Sequence, residues 1–200
     1  IMEGDMSHEA LVHLLREQAF LNKGVTITLT IEASENREES AQTFLYAGGI
    51  VEYVQYIDEA KIPLHAPPIY IEAERSDVVV ELAMQYNDSF HEEIATYVNN
   101  INTVEGGTHL AGLRAALTTS INAYAQKYNL LKDLKNGLSG EDVREGLTAI
   151  LSLKVPNPQF ESQTKIRLGN PEIKGLVQSV VNEKLAEFFE ENPTVVKRVI

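Results

Sequence analysis

A strand that lies in sequence between two long amphipathic helices constrains the fold of this chain more than any other feature. Apolar residues alternate along Leu147–Val155, and two prolines end the run. Residues 108–128 before the strand and residues 170–192 after it repeat apolar side chains at helical spacing. These three elements can bury their apolar faces together if both helices pack on one sheet. The pattern therefore predicts an α+β domain with two layers.

Three further strands are predicted ahead of the first long helix. Ile69–Glu74 and Val78–Tyr86 are joined near Ser76-Asp77, and Ile94–Asn99 follows them. Such short runs with turn residues between them indicate an antiparallel or mixed sheet. We therefore expect one mixed two-layer domain over residues 47–200, with helices packed on one sheet.

The first part of the chain has a different organisation. Its pattern predicts a helix over His8–Asn22 with Ser7 as its cap, and a half-buried strand over Val25–Ile31. Residues 42–46 are predicted to return as a second strand. A helix with one hairpin buries too little apolar surface to form a core. We therefore expect residues 1–46 to be the edge of another domain, and the chain to come from a longer protein.

Composition and charge exclude several classes of protein. Apolar residues make up 44% of the chain, no cysteine is present, and the formal net charge is −12. Disulfides and thiolate chemistry are thus excluded, and no apolar run is long enough to predict a membrane span. A negative surface repels nucleic acid, so any contact with DNA is expected to be local. The composition is compatible with the cytoplasm.

A glycine pair precedes the long helix at residues 108–128. In the run Gly106–His109 it permits a tight turn, and the helix start after it could attract an anion. No P-loop pattern occurs in the chain. From spacing alone, a simple loop with Thr108 as the helix cap is favoured over an anion site.

The histidines show no pattern that suits a metal ion. None is spaced from acidic residues as metal ligands are, so we predict no metal site. Surface or helix-capping positions are favoured for all of them, and His91–Glu93 is expected to be a solvated charged loop. The five histidines are His8, His13, His65, His91 and His109.

A polar loop over Phe160–Lys165 is the strongest candidate for ligand chemistry. Gln163 and Lys165 are two residues apart, so on an extended loop their side chains point the same way. A lysine is a mobile positive charge suited to a phosphate group, and a glutamine can donate its amide hydrogens. Taken alone, these residues favour a solvated loop over a binding site.

Five stretches together resemble the B subunit of bacterial DNA gyrase, the ATPase subunit of type IIA topoisomerases. They occur in the order and at the spacing of that family, and the resemblance covers nearly the whole chain. The equivalent subunit of topoisomerase IV shares many of these motifs, and a clamp ATPase of the MutL type is a more distant alternative. The stretches are Leu15–Gly24, Gly48–Ile50, Gly106–Gly112, Leu138–Leu147 and Pro158–Lys165.

The resemblance implies a role for each part of the chain. Residues 1–46 would be the C-terminal edge of an ATP-binding domain of the Hsp90, MutL and histidine-kinase type. Residues 47–200 would be the transducer domain. Gln163 and Lys165 would contact the γ-phosphate of ATP, with Lys165 as a catalytic residue, and Arg114 would face the cavity that holds DNA.

The resemblance also implies cofactors and partners for the full-length protein. These are ATP and Mg²⁺, the gyrase A subunit, DNA and a second copy of the B subunit, in the cytoplasm and without a membrane. The whole protein would couple ATP hydrolysis to DNA strand passage and supercoiling. The ATP-binding signatures of the family do not occur in this chain, so we predict that the chain alone neither hydrolyses ATP nor binds a cofactor.

Overall fold

The computed structural model describes residues 7–36, 38–132, 134, 136–161, 163–164 and 166–200. Contacts within the chain divide it into two compact units, Ile1–Tyr53 and Val54–Ile200. The boundary falls inside helix α2, Ile50–Ile57, which begins directly after Gly48 and Gly49. The sequence predicts a division after residue 46, and the assignment of the first part to an ATP-binding domain stays a prediction.

The first unit contains a helix and a hairpin. Helix α1 is His8–Leu21, and strands β1, Ile27–Ile31, and β2, Ser40–Phe44, pair antiparallel. Ser7 caps α1 as predicted, because its Oγ accepts a hydrogen bond of 3.2 Å from the backbone N–H of Ala10. The predicted elements are therefore present, with the second strand shifted by two residues.

The aromatic residues of the first unit form its packed centre. Phe20 of α1 stacks on Tyr46, with ring centroids 3.7 Å apart, and on Tyr53 at 4.6 Å. Apolar spacing along α1 also predicts Leu14 on the buried face, but Leu14 is 41% exposed. Burial in α1 is thus concentrated at its C-terminal end.

Within the described residues of the second unit, five strands form one mixed sheet. Their order across the sheet is β3-β4-β7-β5-β6, in which β5 runs parallel to β7 and the other neighbours are antiparallel. Ser76 and Asp77 both have positive φ in the turn between β3 and β4, where the sequence predicts a turn. The strands are β3 Ile69–Arg75, β4 Val78–Tyr86, β5 Glu93–Val98, β6 Ile101–Asn102 and β7 Leu147–Lys154.

Two long helices cover one face of this sheet. Helix α3, Thr108–Lys127, and helix α4, Pro171–Glu191, pack against each other and against the apolar side of β4 and β7. The alternating residues of β7 that the sequence predicts to be buried all belong to this core. The predicted α+β class, with helices packed on one sheet in two layers, is confirmed.

The ends of α4 differ in detail from the predicted helix. Asn170 does not cap α4 with its side chain. Its Oδ1 instead accepts a hydrogen bond of 2.6 Å from the N–H of Gln159, and its amide donates to the carbonyl of Asn157 at 3.2 Å. Asn170 therefore fixes the start of the preceding loop.

A short helix, α5, Pro193–Val199, follows α4, where the sequence predicts only a helix end. Pro193 ends the first helix and begins the next, because a proline fits the first helical position. None of the helices in the described part of the chain is both long and apolar enough to cross a membrane.

Candidate functional site

The loop between β7 and α4 is a closed hairpin, which we call the 159–169 loop. Its ends are joined by a hydrogen bond of 2.7 Å from the N–H of Gly169 to the carbonyl of Gln159. A second bond of 3.0 Å runs from Glu161 N–H to the carbonyl of Arg167, whose side chain also pairs with Glu161 at 2.5 Å. These contacts fix the base of the loop and leave its tip at the surface.

Gln163, one of the two predicted phosphate-binding residues, lies at the tip of this loop. Gln163 and Thr164 are exposed. Lys165 lies outside the described residues. The structure thus places Gln163 at the surface, and the role of both residues stays a prediction.

The base of the 159–169 loop pairs with the segment that begins α3. Glu105 donates a hydrogen bond of 2.9 Å to the carbonyl of Ile166. Leu168 donates to the carbonyl of Gly106 and accepts from the N–H of Thr108, both at 3.0 Å. The loop and the first turn of α3 are therefore held together by a short backbone ladder.

The glycine pair explains how the two segments come so close. Gly106 and Gly107 have φ of 68° and 134°, and a Cβ atom on Gly107 would lie 2.2 Å from the carbonyl oxygen of Leu168. The prediction of Thr108 as a helix cap is wrong, because Thr108 is the first residue of α3. Its buried Oγ1 has no hydrogen-bond partner among the described residues. The glycines allow close contact between two backbones.

Two histidines are buried, so the prediction that all histidines are surface or capping residues is wrong. His109, in the first turn of α3, is fully buried, and its Nε2 lies 2.8 Å from Thr103 Oγ1. Burial lowers the pKa of His109 to about 4. His65 is also buried, and its Nε2 accepts a hydrogen bond of 3.0 Å from the N–H of Tyr86. Burial lowers the pKa of His65 too.

Arg114 lies on α3 with its side chain 45% exposed and paired with Glu92. Its Nη2 and Nε donate to Glu92 Oε1 at 2.7 and 3.2 Å. The other oxygen of Glu92 accepts from Arg144 Nε at 2.9 Å. Partial burial raises the pKa of Glu92, but the hydrogen bonds from Arg144 and Arg114 outweigh it, so the pKa lies below its ordinary value. Glu92 therefore bridges two arginines, which corrects the prediction of a merely solvated loop at residues 91–93.

The site contains residues that reasoning from the sequence does not select. Glu92 and Arg144 are 52 positions apart, and no local pattern relates them. The glycine pair Gly106–Gly107 is selected from the sequence as a tight turn only, although glycines directly before a helix can also indicate a close backbone approach. Among the described residues no group of three or more histidines and acidic residues could hold a metal ion.

Comparison with known proteins gives the family of this fold. A family model described as DNA gyrase B matches residues 49–200. The DNA gyrase B protein of Myxococcus xanthus is 49% identical over 196 residues, which make up 98% of this chain and 24% of that protein. The chain thus spans about a quarter of the length of that relative.

Solved structures with the same fold point to one class of protein. The 43K ATPase domain of Thermus thermophilus gyrase B, solved with an aminocoumarin, is 35% identical with a TM-score of 0.82, over 98% of this chain and 52% of that one. The ATP-binding domain of topoisomerase IV of Francisella tularensis is 27% identical with a TM-score of 0.78, at the same coverages. By fold, this chain is therefore similar to ATP-binding regions of gyrase and topoisomerase IV. The chain belongs to the DNA gyrase B family, and the resemblance predicted from its sequence is confirmed.

Proposed function

We propose that this chain is the transducer part of an ATP-operated DNA clamp, with Gln163 and Lys165 sensing the γ-phosphate of ATP. The domain would couple ATP binding and hydrolysis to DNA strand passage and supercoiling. In the full-length protein it would act with an ATP-binding domain, a gyrase A subunit, DNA and a second copy of the same chain. Residues 1–46 would then be the edge of that ATP-binding domain.

The chemistry of the loop tip supports this role. ATP, when bound, supplies a γ-phosphate whose negative charge is redistributed as the bond to it breaks. An exposed glutamine can donate amide hydrogens to such a group, and a lysine two residues further along adds a positive charge. The ligands for Mg²⁺ are expected on the ATP-binding domain of the full-length protein.

The observation on which the proposal mainly depends is the backbone ladder between the 159–169 loop and α3. Three hydrogen bonds of 2.9 to 3.0 Å join residues 166–168 to residues 105–108. A displacement of the loop tip by a phosphate group would therefore reach the start of the helix that contains Arg114. A ligand that binds one position of the loop more tightly than another shifts the equilibrium toward the position that it favours.

The test is Lys165→Ala in the full-length protein together with its gyrase A subunit. We expect DNA-stimulated ATP hydrolysis and ATP-dependent supercoiling to fall by about 10²–10³-fold, as for loss of one preorganised donor to a transition state. Lys174→Ala, which removes an exposed lysine of α4, is the matched control and should leave both activities unchanged.

Two outcomes of this test would contradict the proposal. If Lys165→Ala and Lys174→Ala both behave as wild type, the loop has no part in ATP turnover. If the isolated chain hydrolyses ATP, the nucleotide site lies within it and the assignment of residues 1–46 to the edge of another domain is wrong.

A further inference from the structure

Glu92 is an acidic residue that contacts two arginines, in a chain whose formal net charge is −12. Its two carboxylate oxygens face different guanidinium groups, Arg114 on α3 and Arg144 in a short 3-10 turn. One carboxylate cannot neutralise two arginines, so these three side chains together have a formal charge of +1. The Arg114 side chain is 45% exposed and the Arg144 side chain 15%, so a ligand can reach the pair from the Arg114 side.

The backbone that precedes Arg144 is held in place by contacts of residues 139–143. Ser139 and Asp142 cap the turn reciprocally, with backbone-to-side-chain hydrogen bonds of 2.8 and 3.1 Å. Val143 is buried, and its carbonyl accepts a hydrogen bond of 2.6 Å from Tyr86 Oη. The backbone that leads to Arg144 is therefore fixed, and its guanidinium donates a hydrogen bond to Glu92 at 2.9 Å.

The segment that contains Glu92 is also anchored beside the arginines. The N–H of Asn87 donates to the carbonyl of Gly146 at 2.8 Å, two residues after Arg144. A Cβ atom on Gly146 would lie 2.6 Å from the carbonyl oxygen of Asn87 and 2.8 Å from that of Ser89. The backbone at residues 87–89, shortly before Glu92, is thus fixed against the segment that follows Arg144.

We propose that Arg114 and Arg144 together bind one phosphodiester group of duplex DNA, and that Glu92 occupies this site until DNA displaces it. This inference rests on the proposed function and deepens it, because it adds a second arginine and an internal competitor to the DNA-facing surface. Paired guanidinium groups match the oxygens of a phosphate better than a single arginine does. Glu92 would keep the arginines ordered and would weaken binding of other anions.

Competition by Glu92 has a definite physical signature. A phosphate that enters must replace two ion pairs. The pair with Arg114 is partly open to solvent, and such a pair contributes little free energy. Removing the carboxylate charge should therefore tighten DNA binding modestly. Removing Arg144 should weaken DNA binding. It should also make the affinity less dependent on salt, by the amount expected for the loss of about one phosphate contact.

The experiment measures binding of labelled duplex DNA by the full-length protein, by fluorescence anisotropy at several salt concentrations. Glu92→Gln is expected to lower the apparent Kd roughly 2- to 5-fold. Arg144→Gln is expected to raise it and to lower the slope of log affinity against log salt by about 0.9. Arg144→Lys, which keeps the charge, should restore most of the slope. Glu187→Gln, which removes an equal charge from an exposed pair with Lys184, should have no effect.

Each result decides the inference. A Kd for Glu92→Gln equal to that of Glu187→Gln, or weaker than wild type, would show that Glu92 does not compete with DNA. An unchanged salt slope in Arg144→Gln, with the protein folded by circular dichroism, would exclude Arg144 from the contact. DNA stimulation of ATP hydrolysis, measured in the same samples, tests the proposed function separately. If DNA does not stimulate hydrolysis by the wild type, the proposed function is wrong. The binding data still decide whether Glu92 competes with DNA.

Discussion

At the scale of single residues, burial without a charged partner keeps His109 neutral. Its side chain is fully buried at the start of α3, and the pKa of His109 is lowered to about 4. His109 lies four residues before Leu113 and eight before Leu117, so it shares the apolar face of the helix. This spacing could have predicted the burial of His109 from the sequence. The absence of a metal-binding motif argued only against a role as a metal ligand.

The neutral His109 makes the stability of the chain depend on pH. In the unfolded chain a histidine has a pKa near 6.5, whereas in the folded chain the pKa of His109 is about 4. Between these two pH values the unfolded state binds a proton that the folded state does not. The stabilisation is complete above pH 6.5 and is lost as pH falls. We expect the free energy of unfolding to drop by about 2 kcal/mol between pH 7 and pH 5 from His109 alone.

Urea unfolding of wild type and His109→Gln at pH 5, 6 and 7 measures this dependence. The variant should be less stable at pH 7, but its free energy of unfolding should vary less with pH. His8→Gln, at an exposed position of α1, is the control and should keep the wild-type dependence. Equal pH dependence in wild type and His109→Gln would mean that His109 has the same pKa in the folded protein as in the unfolded chain.

At the scale of elements, short-range periodicity predicts most of the sheet and both long helices. Strands β3, β4 and β7 and helices α3 and α4 each have enough apolar residues at one spacing to define a face. Strand β6 has two residues, too few to show any alternation. The parallel pairing of β5 with β7 depends on contacts across more than fifty residues, which a local pattern does not contain.

The ladder between the 159–169 loop and α3 depends on Gly107. We expect Gly107→Ala to destabilise the chain by about 1–3 kcal/mol or more, because alanine is strained at a φ of 134° and its Cβ would meet the carbonyl of Leu168. Gly175→Ala in α4 is the matched control, since no atom lies within 4 Å of a Cβ there. That change should stabilise the chain by about 0.5–1 kcal/mol.

Thermal and urea unfolding of both alanine variants decide this point. A loss of stability in Gly107→Ala alone would agree with a close approach of the two backbones. If the two variants changed stability equally, the distance between residue 107 and the carbonyl of Leu168 would have to be larger than the structure gives.

At the scale of the whole molecule, charge and family membership together limit how the chain can contact DNA. The net charge of −12 favours local contacts over a broad one, and Arg114 with Arg144 is the place that we propose for such a contact. Family resemblance selects Arg114, Gln163 and Lys165 from the sequence. The partners of Arg114 and the ladder at the base of the loop are tertiary contacts, so they could be seen only in the fold.

The central claim is that nucleotide binding at the 159–169 loop is transmitted to α3 through the backbone ladder. Hydrogen exchange of the full-length protein, with and without a non-hydrolysable ATP analogue, measures this directly at the amides of residues 105–108 and 166–168. We predict slower exchange of these amides with the analogue in wild type and a much smaller change in Lys165→Ala. Exchange at these amides that is the same with and without the analogue, in a protein shown to bind it, would contradict the claim.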